Sequence, residues 1–216
     1  MRMNRVAARS APMLCAMLCI PLSAWCQDVA QGDASKGQSI AARVCAACHG
    51  PDGNSPTSAN PKLAGQIPEY LQKQLSNFKP ASGKKPEREN PIMAGMAAPL
   101  SADDVRNVAA FFSQQSPKPG AAKDKEALEL GRKLWRAGDL SRGVPACAGC
   151  HGAAGAGVPS QFPRLAGQYA EYTESQLKAF RSGSRSNDPN RTMRTIAAKM
   201  TDADIGAVAD YAAGLR

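Results

Sequence analysis

The sequence predicts an all-α protein made of two tandem domains related by duplication. Three observations predict it. A block of about ninety residues recurs at an offset of 102, apolar residues in each copy return at helical spacing, and no segment shows a convincing period of two. The repeat is read from Cys45-Ala-Ala-Cys48-His49-Gly50 against Cys147-Ala-Gly-Cys150-His151-Gly152, and from Leu63-Ala-Gly-Gln66 against Leu165-Ala-Gly-Gln168. It continues through Glu69-Tyr70, Gln74-Leu75 and Phe78 against Glu171-Tyr172, Gln176-Leu177 and Phe180. Ser82-Gly83 then matches Ser182-Gly183, so the offset falls to 100, which pairs Ser101 with Thr201 and Val108-Ala109 with Val208-Ala209. A unit this long is too large for a solenoid repeat.

The elements follow in chain order. Arg2, Arg5 and Arg9 precede an apolar stretch from Ser10 to Ala24, and the small residues Ala24 and Cys26 stand before Gln27. Residues 1–26 therefore read as a cleaved secretory signal. The stretch is shorter than the roughly 20 apolar residues that span a bilayer, and Pro21 interrupts it. Residues 27–115 are assigned to an N-terminal domain, 116–124 to a linker and 125–216 to a C-terminal domain. Ala34 to Val44 and Leu128 to Arg136 read as the first helix of each domain, and Ile67, Tyr70, Leu71, Leu75 and Phe78 mark a middle helix. The last helices open at Ser101-x-x-Asp104 and Thr201-x-x-Asp204, capping boxes with aspartate in place of the commoner glutamate. Pro117, Pro119 and Gly120 keep the linker from continuing a helix.

Composition narrows the class. Of 216 residues, 35 are glycine or proline and only 11 are aromatic. A domain of about ninety residues with so little bulky material is marginal unless something besides side chains fills it. The absence of a glycine period, a sustained heptad or a second long apolar run excludes collagen, a coiled coil and a polytopic membrane protein. The formal charge of +9 becomes +6 once the signal leaves, divided as +1 and +5 between the halves. Nucleic acid is not an expected partner, because no basic cluster carries interleaved aromatics.

Removal of the signal takes Cys15, Cys19 and Cys26 and leaves Cys45, Cys48, Cys147 and Cys150. Two cysteines three apart lie on one face of a helical turn, where both sulfurs can bond the vinyl groups of one haem, and the histidine after them reaches the iron. Cys45, Cys48 and His49 would hold one haem c, and Cys147, Cys150 and His151 the second. A thioredoxin-like pair would need a βαβ context, zinc sites do not use pairs so far apart, and disulfides within each motif would leave both histidines idle. These are the only two histidines in the chain. The sixth ligand must come from elsewhere, and methionine is the commonest answer in cytochromes c. Met93 and Met193 are methionine in both aligned copies, whereas Met96 pairs with Ile196 and Met200 with Leu100. Met93 and Met193 are therefore taken as axial ligands, and Met96 and Met200 as apolar packing, with Met96 in the same loop as the competing candidate.

Pro61 and Pro163 each follow their histidine by twelve residues. They suit a plain turn, or a carbonyl that accepts the other ring N–H of His49 or His151 and so orients the imidazole. Trp135, Tyr70, Tyr172 and Tyr211 are expected as haem-wall and helix-contact residues. Lys84, Lys85, Arg88, Arg185, Arg191 and Arg194 precede or flank the methionines as solvated loop charge or as partners of haem propionates.

With these motifs, and with Pro-Lys-Leu-Ala-Gly-Gln at 61–66, Pro-Arg-Leu-Ala-Gly-Gln at 163–168 and Met-Arg-Thr-Ile-Ala at 193–197, the chain resembles the cytochrome c4 family over nearly its whole mature length. The resemblance implies two class I cytochrome c folds packed about a pseudo-twofold axis, His/Met ligation of both irons, and a periplasmic location, free or on the inner-membrane surface. It implies a monomeric electron carrier rather than an enzyme, placed between a quinol-oxidising complex as donor and a terminal oxidase as acceptor. Gly37 and Gly131 would let the first helix cross closely over the last, near Phe111 and Tyr211. Ala41 stands where the second copy has Trp135, and the segment from Arg136 to Ala146 is longer than its counterpart before Cys45. Two functional alternatives stand beside the carrier: a di-haem enzyme such as a peroxidase, and the cytochrome subunit of a membrane oxidase or dehydrogenase. Two reduced haems with ionised propionates would bring about −4, so a basic C-terminal half facing an acidic partner is expected to matter more than total charge.

Overall fold

The computed structural model describes residues 32–80 and 84–216. The signal segment, with Cys15, Cys19 and Cys26, and the matched pair Ser82-Gly83 lie outside the described residues. The N-terminal half holds α1 (Ala34–Ile40), a π-helical turn (Ala41–Cys45), α2 (Ala46–His49), α3 (Pro68–Phe78), α4 (Pro91–Ala97) and α5 (Ala102–Ser113). The C-terminal half holds α6 (Leu128–Arg136), α7 (Ala148–His151), α8 (Ala170–Ser182), a 3-10 turn (Pro189–Arg191), α9 (Thr192–Ala197) and α10 (Asp202–Ala213). Among the described residues there is no sheet, only three isolated β-bridges.

Each half is organised by the crossing of its first and last helices. The helix pairs α1–α5 and α6–α10 make the closest packing in the molecule. A Cβ added at Gly37 would lie 2.0 Å from the Asn107 carbonyl oxygen, and one at Gly131 would lie 2.3 Å from that of Ala207. Only a residue without a side chain lets the backbones approach this closely. The replacement of Trp135 by Ala41 does not loosen the first crossing: Ala41 is itself 1% exposed. The last helices start as their sequences predict, with Ser101 and Thr201 accepting from the backbone N–H of Asp104 and Asp204, whose carboxylates accept in return. Such caps contribute about 1 kcal/mol each.

Below each crossing lies an apolar core. In the first half Leu71, Val108, Ala109, Phe111 and Phe112 pack around Ala41, with Cys45 and Leu63 against them. In the second, Leu134, Trp135, Val144, Leu177, Ile205, Val208 and Tyr211 form the cluster, and Cys147, Leu165 and Met193 pack against it. Both cores thus end at the cysteine motifs.

The expected first helix, Ala34 to Val44, is a regular helix only to Ile40 and then widens into the π turn that leads directly to Cys45. The expected Leu128 to Arg136 helix has those bounds. The segments carrying the methionines, read as loops, form the short helices α4 and α9. Asn90 makes the first possible by accepting from the Met93 backbone N–H at 2.9 Å, with Pro91 set at the first helical position.

The connection between the halves is held down rather than free. Asn54 accepts from the Lys118 backbone N–H at 2.7 Å and donates to the Ser116 carbonyl, while Asp210 accepts from the backbone N–H groups of Lys123 and Asp124. Across the domain boundary the bonds are reciprocal. The Gln66 amide donates to the Arg164 carbonyl and accepts from the Arg164 N–H, and Gln168 does the same with Lys62. Gln66 and Gln168 are repeat equivalents, as are Lys62 and Arg164, so the bonds express a pseudo-twofold relation between the halves.

Candidate functional site

In each half the second cysteine and the histidine lie on one short helix that stops at the histidine, and the first cysteine stands immediately before it. Gly50 and Gly152 terminate α2 and α7 with φ of 79° and 80°, a region closed to residues bearing a Cβ. Glycine after the histidine is therefore a steric requirement of the turn. The chain then reverses through Gly53 or Gly155, whose carbonyls accept from Leu63 and Ala64 or from Leu165 and Ala166. These bonds bring the residue two positions upstream, Pro61 or Pro163, under the motif.

There each imidazole is buried, and its Nδ1 lies 2.9 Å from the carbonyl oxygen of Pro61 or Pro163. A carbonyl can only accept, so Nδ1 carries the proton and Nε2 presents its lone pair. Burial lowers both histidine pKa values, against the opposing effect of the proline hydrogen bond. A neutral ring with a free Nε2 is the form that binds iron. None of the four cysteines is paired in a disulfide. Burial pushes the Cys45 and Cys147 thiols up to about 11. Two thiols on one helical turn, a metal-directed histidine and a half-buried methionine fit a covalently held haem.

The other candidates distribute as follows. Met193 packs with Cys147 and Leu165 against the C-terminal core, and Met93 is half-buried on α4. Met200 is 5% exposed, as packing requires, and its equivalent Leu100 is buried beside Ala97. Met96 departs from expectation. It is 46% exposed, because the seven-residue α4 turns it outward while Ala97 and Leu100 take the inward positions. Trp135 is fully buried, donates from Nε1 to the Ala153 carbonyl at 3.0 Å and lies beside both His151 and Tyr211. It acts as a wall of the second site.

Tyr70 and Tyr172, expected as haem-wall and helix-contact residues, reach across the domain boundary, where their hydroxyls accept from Arg185 and Arg88. Arg194, read as loop charge, is anchored to Asp188 at 2.7 Å on α9. The sequence reading gave two packed domains but not the residues that bond across their boundary, although polar Gln66/Gln168 and Gln74/Gln176 at equal repeat positions were a usable signal.

Both halves match the family model for cytochrome c, over residues 34–116 and 128–215. A cytochrome c4 of Thiocapsa roseopersicina is 47% identical over 186 residues, covering 85% of this chain and 93% of that protein. A protein of Thiomonas intermedia named thiosulfate dehydrogenase electron acceptor is 44% identical over 175 residues, covering 80% and 78%. The solved structure of reduced recombinant cytochrome c4 from Pseudomonas stutzeri superposes with a TM-score of 0.79 at 46% identity, covering 86% of this chain and all of that one. Two matched domains, each with its Cys-x-x-Cys-His motif, make the molecule a di-haem electron-transfer protein with haem c attached covalently, and the chain belongs to the cytochrome c4 family.

Proposed function

We propose that the chain carries electrons in the periplasm, one per haem, from a quinol-oxidising complex toward a terminal oxidase, with His49 and Met93 on one iron and His151 and Met193 on the other. The observation that carries the reading is the paired geometry of the histidines, each held by a proline carbonyl with its Nε2 available. Haem supplies a one-electron couple when bound. The protein's own contribution is to fix the ring tautomer, to exclude water through the packed cores, and to carry on α4 or α9 the methionine that would supply the second iron ligand. A methionine sulfur ligand would favour the ferrous state and raise the potential, and an iron held by both residues would favour outer-sphere transfer over catalysis.

The boundaries 27–115, 116–124 and 125–216 belong to the same reading, as does export through residues 1–26. No helix among the described residues is long and apolar enough to cross a membrane. A second acceptor role has specific support: the relative named thiosulfate dehydrogenase electron acceptor favours a dehydrogenase as an electron donor to this chain.

The test is an absorption spectrum with a haem-to-protein ratio on protein from the periplasmic fraction. Two covalent haems with the methionine-to-ferric-iron band support the proposal. Met93→Ala and Met193→Ala should each remove half of that band, and Met96→Ala none. Rapid binding of peroxide or carbon monoxide by one reduced haem would favour an enzyme. Reduction by a quinol-oxidising complex, compared with reduction by a dehydrogenase, separates the two donors.

A further inference from the structure

The pseudo-twofold axis carries a group of side chains that neither haem site uses. Arg88 donates from Nη1 to Gln74 at 2.8 Å, and from Nη2 to the Tyr172 hydroxyl at 2.9 Å and to Gln176 at 2.8 Å. Arg185 mirrors it, donating from Nη1 to Gln176 at 2.8 Å and from Nη2 to the Tyr70 hydroxyl at 3.0 Å and Gln74 at 3.1 Å. The backbones of the two arginines pair in an antiparallel bridge, and each guanidinium lies over a phenylalanine ring, Phe78 at 4.7 Å and Phe180 at 4.4 Å. Each cation thus binds groups from both halves.

The hydrogen-bond partners of both guanidinium groups are neutral. Arg185 is 7% exposed, and its remaining partner is the Asn187 side-chain oxygen. Lys73 adds a third cation nearby, donating to the Asn77 side chain and the Asn187 carbonyl. Among the described residues no carboxylate lies within ion-pair distance of any of the three; Glu87, bonded to Asn77, and Asp188, paired with Arg194, act on Lys73 and Arg185 from further away. Neutral oxygens and aromatic faces offset part of the cost of burying guanidinium, and each guanidinium keeps its positive charge among them. Tyr70 registers the field: burial pushes its hydroxyl up, but Arg185 and Arg88 outweigh this and bring it below its ordinary value.

The cluster sits one helix away from both haem sites. Gln74 and Phe78 share α3 with Leu71, which packs in the core that meets Cys45. Gln176 and Phe180 share α8 with Leu177, which packs in the core that meets Cys147 and Met193. A helix is roughly 10 Å across, a distance over which an unscreened charge in protein still acts on another.

We infer that Arg88 and Arg185 form a shared electrostatic bridge that raises the reduction potential of both haems together, each arginine acting on the site of the other half as well as its own. The physical reason is that the ferric iron carries one more positive charge than the ferrous, so a buried cation near both sites favours the reduced state of each. The inference rests on the di-haem reading. They are positioning residues, because they touch the tyrosines and glutamines rather than the iron ligands.

Spectroelectrochemical titration of the holoprotein tests it, comparing Arg88→Gln and Arg185→Gln with Arg88→Lys and Arg185→Lys. The glutamine variants should lower both midpoints, each by about a threefold or larger change in the equilibrium constant for reduction by a fixed mediator. The lysine variants should restore most of the loss, and the shift should persist at high salt because the cluster is buried. A shift in only one of the two components, an equal shift in lysine and glutamine variants, or no shift would overturn the inference. Should the glutamine variants fail to assemble, Lys73→Gln decides: a smaller fall in both midpoints supports the bridge and unmoved midpoints refute it. Protein lacking two covalent haems would instead be a failure of the di-haem reading, so the two failures are distinguishable.

Discussion

The two halves repeat the same parts around the cysteine motifs and differ in how the chain reaches them. In the N-terminal half Cys45 follows the crossing glycine, Gly37, by eight positions, and the helix passes through a π turn straight into the motif. In the C-terminal half Cys147 follows Gly131 by sixteen positions. Here α6 ends at Arg136, and the added loop is pinned by the Asp139–Val144 bridge, by fully buried Val144 and by Arg142, which pairs with both Asp139 and Asp204. Trp135, at the end of α6, fills the space beside His151. The comparison teaches that the histidine's surroundings are fixed by the short loop to the proline, which the halves share. The outer wall can be built either from continuous helix or from one large aromatic with a loop.

The largest expected effect is the loss of one cofactor. Replacing Cys45 and Cys48 by alanine should unfold the N-terminal half while the C-terminal haem keeps its spectrum, and Cys147 and Cys150 should do the reverse, as checked by hydrogen exchange in each half. Equal protection in both halves of either variant would break the picture of two separately filled domains. Next, Trp135→Ala should destabilise the C-terminal half by about 4 kcal/mol, the cost of emptying a fully buried aromatic site. Ala41→Trp should fail to rescue or imitate it, because Ala41 has no space around it and overpacking costs about 1–3 kcal/mol. Thermal melts of the holoproteins check both.

Gly37→Ala and Gly131→Ala should each cost about 3 kcal/mol, and similarly, since in both cases the added methyl meets backbone rather than a movable side chain. A large inequality between them would show that one crossing is looser than its geometry implies. The loop predicts a smaller, pH-dependent difference. Hydrogen bonds from Arg142, with those from Thr201, hold the buried Asp204 carboxyl at about 2. Its folded value lies below the unfolded one, so the stability it contributes is present above about pH 4 and is lost as pH falls toward 2. The loss is about 2 kcal/mol in the C-terminal half, and Arg142→Ala should abolish most of it. Denaturant melts between pH 5 and pH 2 measure the difference. The smallest effect concerns Thr173, buried on α8 with no partner for its hydroxyl, where the first half has buried Leu71. Thr173→Val should raise stability by about 1 kcal/mol, read as a higher melting temperature.

Much of this was legible because covalent chemistry and helix periodicity are local. The capping boxes, the middle helices and the bounds of Leu128–Arg136 follow from spacing and side-chain type. The short methionine helices were not, since seven and six residues containing glycine or threonine carry no clear apolar stripe and depend on Asn90 and Asp188 to start them. Arg88 and Arg185 were hidden for another reason. Their backbone N–H groups bond the equivalent carbonyls of Asn77 and Ala179, yet in sequence they stand 97 apart, out of step with both repeat offsets.

By itself the sequence determined the duplication, the all-helical class and the chemistry of two haem attachments, because each rests on residues close together in the chain. Only the tertiary structure decided which polar residues face the other half, and that three cations meet there among neutral partners. Burial and charge balance are sums over residues distant in sequence, so they exist only once the two halves are packed together.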